Sequence, residues 1–229
     1  MRSIALLTQK GGAGKTTLAA SLAEMAASTG EKVIALDLDP QQSLVRWGKR
    51  RENANARNKV IVEPLERERL PRLRAILEGL AGAGFTLAIF DTTGSDASGV
   101  RPVAEVADLS LLPARPTRLD VEATAATFRT VFLAKRKAAF VLNQCPPSYR
   151  STRASEAAQQ LNALGVLAEP MLSARMDFQD AIAAGLGVSE YARGNKAAEE
   201  IATLWNWIRA QLGRGRIELA ADRRRQAAA

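Results

Sequence analysis

From one end of the chain to the other, short apolar runs alternate with stretches in which apolar residues recur every three or four positions. The runs at 4–7, 33–36, 60–62, 87–90, 109–112, 140–142 and 167–171 are short and nearly continuous, which predicts strands buried on both faces. Between them the spacing predicts a helix over 15–28, stopped by Gly30, and one over 70–80, entered through Pro71 in its first turn. Further helices are expected at 121–134, 151–164, 178–184 and 197–212. Strands that alternate with helices must be joined by crossovers. The expected fold class is therefore α/β, a mainly parallel, doubly wound sheet with helices on both faces.

Composition fits that picture. A chain of 229 residues, 47% apolar and 24% charged, can bury the core of one domain, expected over 1–212, with a basic tail over 213–229 that is helical or frayed. No run approaches the roughly 18 apolar residues of a membrane span, and Met1-Arg2-Ser3 leads straight into the first strand. These features predict a cytoplasmic protein without stable membrane insertion. The single cysteine, Cys145, forbids an internal disulfide and reads as a small buried hydrophobe. The absence of histidine removes His-based triads, His general bases and His-ligated metals together.

Ligands of open α/β sheets lie outside the carboxyl ends of the strands, and the chemically suggestive residues fall there. After the first strand comes Lys10-Gly11-Gly12-Ala13-Gly14-Lys15-Thr16-Thr17. Its three glycines let backbone N–H groups turn inward on a polyphosphate at the positive end of a helix. Lys15 is placed to reach the β- and γ-phosphates, and the Thr16 hydroxyl to ligate Mg²⁺. The common G-x-x-x-x-G-K-[ST] pattern is not met, because its first glycine falls at Gln9. After the second strand comes Asp37-Leu38-Asp39-Pro40-Gln41, and after the fourth Asp91-Thr92-Thr93-Gly94. Each has a plainer reading beside the functional one: Asp91 as a helix cap, Asp37 and Asp39 as the start of a helix at Pro40.

With Lys10 added to the glycine loop, the motif resembles the deviant Walker A element of the ParA/MinD family of dimeric ATPases. The resemblance implies ATP, which residue chemistry alone does not separate from GTP. It also implies a homodimer formed on ATP binding, in which Lys10 acts on the partner's nucleotide, and a weak, partner-stimulated ATPase. The D-x-D-P-Q segment is similar to that family's first switch, which gives Asp39 the attacking water and Asp37 a supporting place at the metal. Leu87-Ala88-Ile89-Phe90-Asp91 resembles a Walker B strand, with Asp91 in the Mg²⁺ shell opposite Thr16. Phe140-Val141-Leu142-Asn143 resembles the strand whose Asn bonds adenine, and the segment around Pro170, Met171 and Leu172 the one that packs on the base. Asn143 also reads as an ordinary turn-former. The implied site has Lys10, Lys15 and Asp39 in catalysis and Thr16, Asp37 and Asp91 at the metal. Gly11 through Thr17 hold the nucleotide with Asn143, Pro170 and Met171. ATP and Mg²⁺ are the implied cofactors.

The formal net charge of +8 points to a polyanion. Basic residues crowd Arg46, Lys49, Arg50, Arg51, Arg57 and Lys59, and again Arg209, Arg214, Arg216, Arg223, Arg224 and Arg225. The second group is the candidate DNA contact, with an ordinary solvated surface as the alternative for both. No aromatic residues are interleaved among them for stacking on single strands. The resemblance, in a chain whose first strand starts within a few residues of Met1, implies a small partition ATPase. Such a protein binds non-specific DNA, associates with the nucleoid and is released by a ParB-like centromere-binding or adaptor protein. The alternatives are positioning of another cargo, such as a conjugative transfer complex, and a MinD-like membrane ATPase, for which the tail offers only Ile217 and Leu219 as large apolar residues.

Overall fold

A computed structural model describes residues 1–94, 99–147 and 151–213. Among them six strands, β1 (Arg2–Leu6), β2 (Val33–Asp37), β3 (Val60–Pro64), β4 (Leu87–Asp91), β5 (Leu109–Ala114) and β6 (Ala138–Leu142), form one sheet in the order β3-β2-β4-β1-β5-β6. Every pairing is parallel. The sheet is buried on both faces by strict alternation. Ile4 and Leu6 of β1 and Val33 and Ala35 of β2 join one core with Leu18, Leu22, Trp47, Ile201 and Trp205. Ala5, Ile34 and Leu36 join the other with Leu73, Val103, Phe128 and Leu161. The two largest buried side chains also satisfy their indole N–H groups, Trp47 on the Leu186 carbonyl and Trp205 on Thr29 Oγ1.

The helices follow the apolar spacing closely at α1 (Lys15–Ser28), α5 (Arg118–Leu133), α6 (Thr152–Leu164), α7 (Met176–Ala183) and α9 (Lys196–Gly213). The expected helix at 70–80 divides. Pro71 lies inside a 3₁₀ turn over Arg67–Arg72, and α3 begins after it at Leu73–Gly82. Three helices are additional: α2 (Ser43–Asn53), α4 (Val100–Val106) and α8 (Val188–Tyr191).

The seventh expected strand, 167–171, is not a strand. The Phe140 N–H donates to Val166 and the Ala168 N–H to Phe140, which starts a parallel ladder. Its next rung needs an N–H from residue 170, and Pro170 has none. The Leu142 carbonyl therefore accepts from Leu172, the chain bows out between the two contacts, and pairing resumes at Cys145 and Ser173.

Candidate functional site

β1 delivers the chain to the carboxyl edge of the sheet, where Gly12 (φ 79°) and Gly14 (φ 84°) take left-handed conformations that turn it back into α1. The first α1 N–H to find a backbone carbonyl is that of Leu18, on Gly14. The N–H groups from Gly11 to Thr17 meet no acceptor among the described residues, leaving a row of donors at a helix N-terminus, the geometry that binds phosphate. A side chain at Gly14 would be strained by its left-handed φ, and its Cβ would lie 2.4 Å from Asn143 Nδ2, forcing that amide off the loop.

Lys15 is buried, with Nζ 3.3 Å from the Lys10 carbonyl, and desolvation lowers its pKa against the opposing charges of Asp91 and Asp39. Thr16 Oγ1 donates to Asp91 Oδ2 at 2.6 Å. Asp91 is fully buried and its other oxygen, Oδ1, has no partner. Burial first, then the charges of Asp37 and Asp39, push its pKa up to about 7 against the Thr16 hydrogen bond and Lys15. An orphaned carboxylate oxygen beside a threonine hydroxyl is a donor pair suited to a hard cation that shares its shell with phosphate oxygens, and Lys15 beside it suits the phosphate charge. The described residues hold no group of three or more His, Cys, Asp or Glu side chains that could bind a metal alone. Mg²⁺ fits that arrangement, since it takes few protein carboxylates and keeps phosphate and water oxygens.

Asp37 is buried beside Asp91, but its carboxylate is already occupied. Oδ1 accepts from the Asp39 N–H (3.0 Å), and Oδ2 from Leu44 (2.9 Å) and Val45 (3.1 Å), so it anchors the start of α2. Burial still raises its pKa over the opposing effect of these bonds. Asp39, half-buried, accepts from the Gln41 N–H and projects from a turn closed by Gln42, itself left-handed at φ 50°. Gly94 closes the far side. A Cβ there would meet the Lys10 carbonyl and Lys15 Nζ at 2.9 Å, so the segment after β4 packs against the phosphate loop only as glycine.

Lys10 is held by α5. Its Nζ pairs with Asp120 Oδ2 at 3.0 Å, and Arg115 Nε pairs with Oδ1 of the same carboxylate at 3.1 Å. Burial alone raises the Asp120 pKa, but hydrogen bonds from Thr117, Arg115 and Lys10 outweigh it and hold the carboxyl below its usual range. The sequence pattern Thr117-x-x-Asp120 marks a helix start, and Thr117 does cap α5; nothing local links it to a lysine 110 residues away.

At the nucleoside end, a cavity of about 260 Å³ is lined by Gly14, Thr17, Asn143, Ser173, Arg175 and Phe178, among others. Asn143 borders it while its Nδ2 donates to the Ala13 carbonyl (2.8 Å), and Gln144 Nε2 donates to Gly12 (3.0 Å), so both amides brace the loop. Pro170 and Met171 are not among the lining residues; the wall is formed two residues further on, from Leu172, because the interrupted pairing turns the chain inward there. Cys145 is buried and its pKa is pushed up to about 11, as a structural thiol.

The basic groups divide as well. Arg51 belongs to the interior: 4% exposed, it pairs with Glu190 and donates to the Asn58 carbonyl. Arg50 is half-buried on the Ile182 carbonyl, while Arg46 and Lys49 are exposed. Arg209 lies near the end of α9; Arg214, Arg216, Arg223, Arg224 and Arg225 lie outside the described residues.

A glycine loop between β1 and α1, a lysine and threonine in its first helical turn and a buried aspartate on the adjacent strand define a P-loop NTPase of the ParA/MinD type. The profile of the VirC1 protein family matches residues 1–203. The chain therefore belongs to the VirC1 family, a ParA/MinD-type group. It is 32% identical to the protein virC1 of Rhizobium rhizogenes over 179 residues, 75% of this chain and 76% of that one. It is 31% identical over 200 residues to the maintenance of carboxysome distribution protein A of Gloeobacter kilaueensis, covering 86% and 88%. The septum site-determining protein MinD of Pyrococcus horikoshii OT3, solved with Mg-ADP, shares the fold with a TM-score of 0.72 at 17% identity, over 93% of this chain and 97% of that one. A further relative, 56% identical over 41 residues, 18% of this chain and 16% of that one, is the chromosome-partitioning ATPase Soj of Thermus thermophilus.

Proposed function

We propose that this protein is an ATP-dependent dimerising switch that partitions or positions a cargo on DNA, hydrolysing Mg²⁺-ATP to end each bound period. The observation that carries the reading is the doubled lysine of the phosphate loop: Lys15 turned inward beside Asp91, and Lys10 held apart on Asp120. The Gly11 to Thr17 N–H groups cradle the polyphosphate, and Lys15 neutralises oxygens between β- and γ-phosphates. Thr16 and Asp91 hold Mg²⁺, which supplies further neutralisation of phosphate charge when bound. Asp37 fixes the turn that carries Asp39, and Asp39 orients the attacking water. Phosphoryl transfer through a loose transition state depends more on positioning than on base strength, so a carboxylate suffices. Lys10 leaves Asp120 to reach the partner protomer's nucleotide. The nucleoside occupies the cavity between Thr17, Asn143 and Arg175.

The name of the carboxysome-distribution relative supports positioning of a cargo other than a plasmid as the second reading. Both readings share the chemistry and differ in the adaptor protein. The net charge of +8 supports DNA as the matrix.

The test is binding to non-specific duplex DNA with ATP, with ADP and without nucleotide, using Asp39→Ala beside the native chain. Strong binding that requires ATP, persists in Asp39→Ala and falls steeply with salt is expected. A fully active Asp39→Ala ATPase removes Asp39 from the mechanism, and no DNA binding in any nucleotide state removes the DNA reading.

A further inference from the structure

The end of the sheet opposite the phosphate loop carries a charge pattern that the nucleotide chemistry does not use. Four of the six strands start at a cation. Lys59 precedes β3, Lys32 precedes β2, Arg2 opens β1 and Lys137 precedes β6. In the sheet order these fall at both edges and the centre, so they form a row five inter-strand steps long, about 24 Å at ~4.8 Å per step. Lys135 and Arg136, exposed in the turn after α5, thicken the row at one end, and Arg57 does so at the other. Two shallow cavities lie along it, of about 560 Å³ beside Lys32 and Lys59 and about 390 Å³ beside Arg2 and Lys137.

The cations are not internally paired. None of these seven side chains makes an ion pair among the described residues, whereas Arg51, Arg101, Arg115, Arg118 and Arg175 all do. The acids lining the same cavities are Glu31 and Asp108, and both are engaged by hydroxyls: Thr86 on Glu31, and Ser3 on Asp108 at 2.9 Å. The two cavities thus gather a net charge of +5, out of +8 for the whole chain. Leu212, near the end of α9, also lines the second cavity.

We infer that this amino edge of the sheet is the surface that binds the phosphate backbone of duplex DNA. The inference rests on the DNA reading above and assigns it a location. Over about 24 Å a duplex presents roughly 14 phosphate charges, enough to meet every cation of the row. The one aromatic residue lining the cavities, Phe85, is partly buried against the core, so among the described residues the cavities offer no exposed stacking platform for unpaired bases, which suits backbone contacts indifferent to sequence. A plainer role for the same cations is to offset the carbonyl ends of the helices that finish near this edge; that role predicts an effect on stability and none on DNA.

Two charge-neutralising pairs test the inference, Lys32→Gln with Lys59→Gln and Arg136→Gln with Lys137→Gln, in the full chain with ATP. DNA affinity is measured against salt, and thermal melting confirms folding. Arg72→Gln with Arg74→Gln, which removes equal charge from exposed positions at the start of α3, serves as the control. Each edge pair is expected to weaken binding about tenfold and to lower the slope of log affinity on log salt by about 1.8, or 0.9 per lost phosphate contact. The control pair should leave the slope unchanged. Native DNA binding with the native slope in both edge pairs overturns the location and leaves the DNA reading standing. Absence of DNA binding by the native chain overturns both. Edge-dependent binding to phosphatidylserine vesicles without DNA binding also overturns the inference, and makes the surface a membrane contact.

Discussion

The two ends of the sheet hold opposite charge for opposite reasons. At the carboxyl end, a cavity of about 500 Å³ is lined by Asp37, Asp39, Glu66 and Glu68 against the cation Arg67, and Lys15 of the phosphate loop feels the charge of Asp39 on its wall. Asp37 and Asp39, on the loop side of its wall, are buried or half-buried and fixed by backbone N–H groups, whereas Glu66, Arg67 and Glu68 on the other side are exposed. At the amino end the charges are nearly all positive, mostly exposed and unpaired. Both ends suit phosphate, but in different ways. A buried, ordered site discriminates one polyphosphate in one pose, whereas an exposed row of flexible cations meets a long polyanion in many registers. The overall charge of +8 therefore reflects the amino end and the arginine-rich sequence after residue 213, and conceals the acidic cavity at the other end.

The largest effect that can separate the ends is expected at Lys15. Lys15→Ala deletes the one cation turned into the phosphate loop, and nucleotide affinity should fall by a thousandfold or more, above about 4 kcal/mol. Titration with a fluorescent ATP analogue reads this directly. Near-native affinity in the variant would place nucleotide binding elsewhere. Because Lys15 bears on no core packing beyond its own burial, the melting temperature without nucleotide should move far less.

The next effect concerns what joins the ends. Arg51, on α2, pairs with Glu190 of α8 and donates to the carbonyl of Asn58, the residue before Lys59. Asn58 Nδ2 donates in turn to Glu24 of α1, the helix that starts at the phosphate loop. Arg51→Ala leaves the partly buried Glu190 carboxylate without its cation and should cost about 2–3 kcal/mol of stability, read by urea unfolding. A loss below about 1 kcal/mol would mean that the pair is not the tie between α2 and α8.

These two predictions also mark what sequence could and could not convey. The β1–loop–α1 unit was legible because its signals are local: an apolar run, three glycines and a helical period, with α1 falling at 15–28 as its spacing required. α2 was legible only as the plainer reading of Asp37 and Asp39, a helix starting at Pro40, because Arg46, Lys49, Arg50, Arg51 and Glu52 crowd eleven residues and obscure the apolar face of Leu44, Val45 and Trp47; it starts at Ser43. Its cap comes from Asp37, six residues before its first residue. Arg51 read as one of a surface cluster because its partner is 139 residues distant. Pro170 was visible all along, but its effect on a strand depends on which carbonyl it faces, and only the register with β6 fixes that. The contact of Lys10 with Asp120 is of the same kind: the two stand 110 residues apart, and their meeting is a property of the fold.

A smaller effect is expected at that contact. Lys10 is paired with Asp120 at the protomer's own α5, so any role across a dimer interface requires the pair to open. Asp120→Asn keeps the hydrogen-bonding shape and removes the charge; if the chain dimerises on ATP as proposed above, this should shift the equilibrium three- to tenfold toward the dimer, about 1 kcal/mol, as suits a pair with one half-exposed partner. Sedimentation over a range of protein concentration measures it. An unchanged dimer constant would show that Lys10 on Asp120 is no restraint.

The smallest effect tests the connecting network by pH. Glu24 is buried on α1 with Oε1 on Asn58 and Oε2 unpartnered. Burial, then the charge of Glu190, raises its pKa above the ordinary 4.5. The folded chain therefore holds this proton more tightly than the unfolded one. The stabilisation is full below the ordinary value and is lost as pH rises through the raised one, leaving an unsatisfied buried charge at neutrality. Glu24→Gln removes that charge and should be more stable than the native chain at pH 7–8 by ~1 kcal/mol, or about 2–4 °C for a chain of this size. The advantage should vanish below pH 4.5, where the native residue is protonated as well. Melting curves of the two chains across that range decide the point, and a gap independent of pH would assign the difference to packing against Gly187, whose Cβ position Glu24 crowds at 2.5 Å.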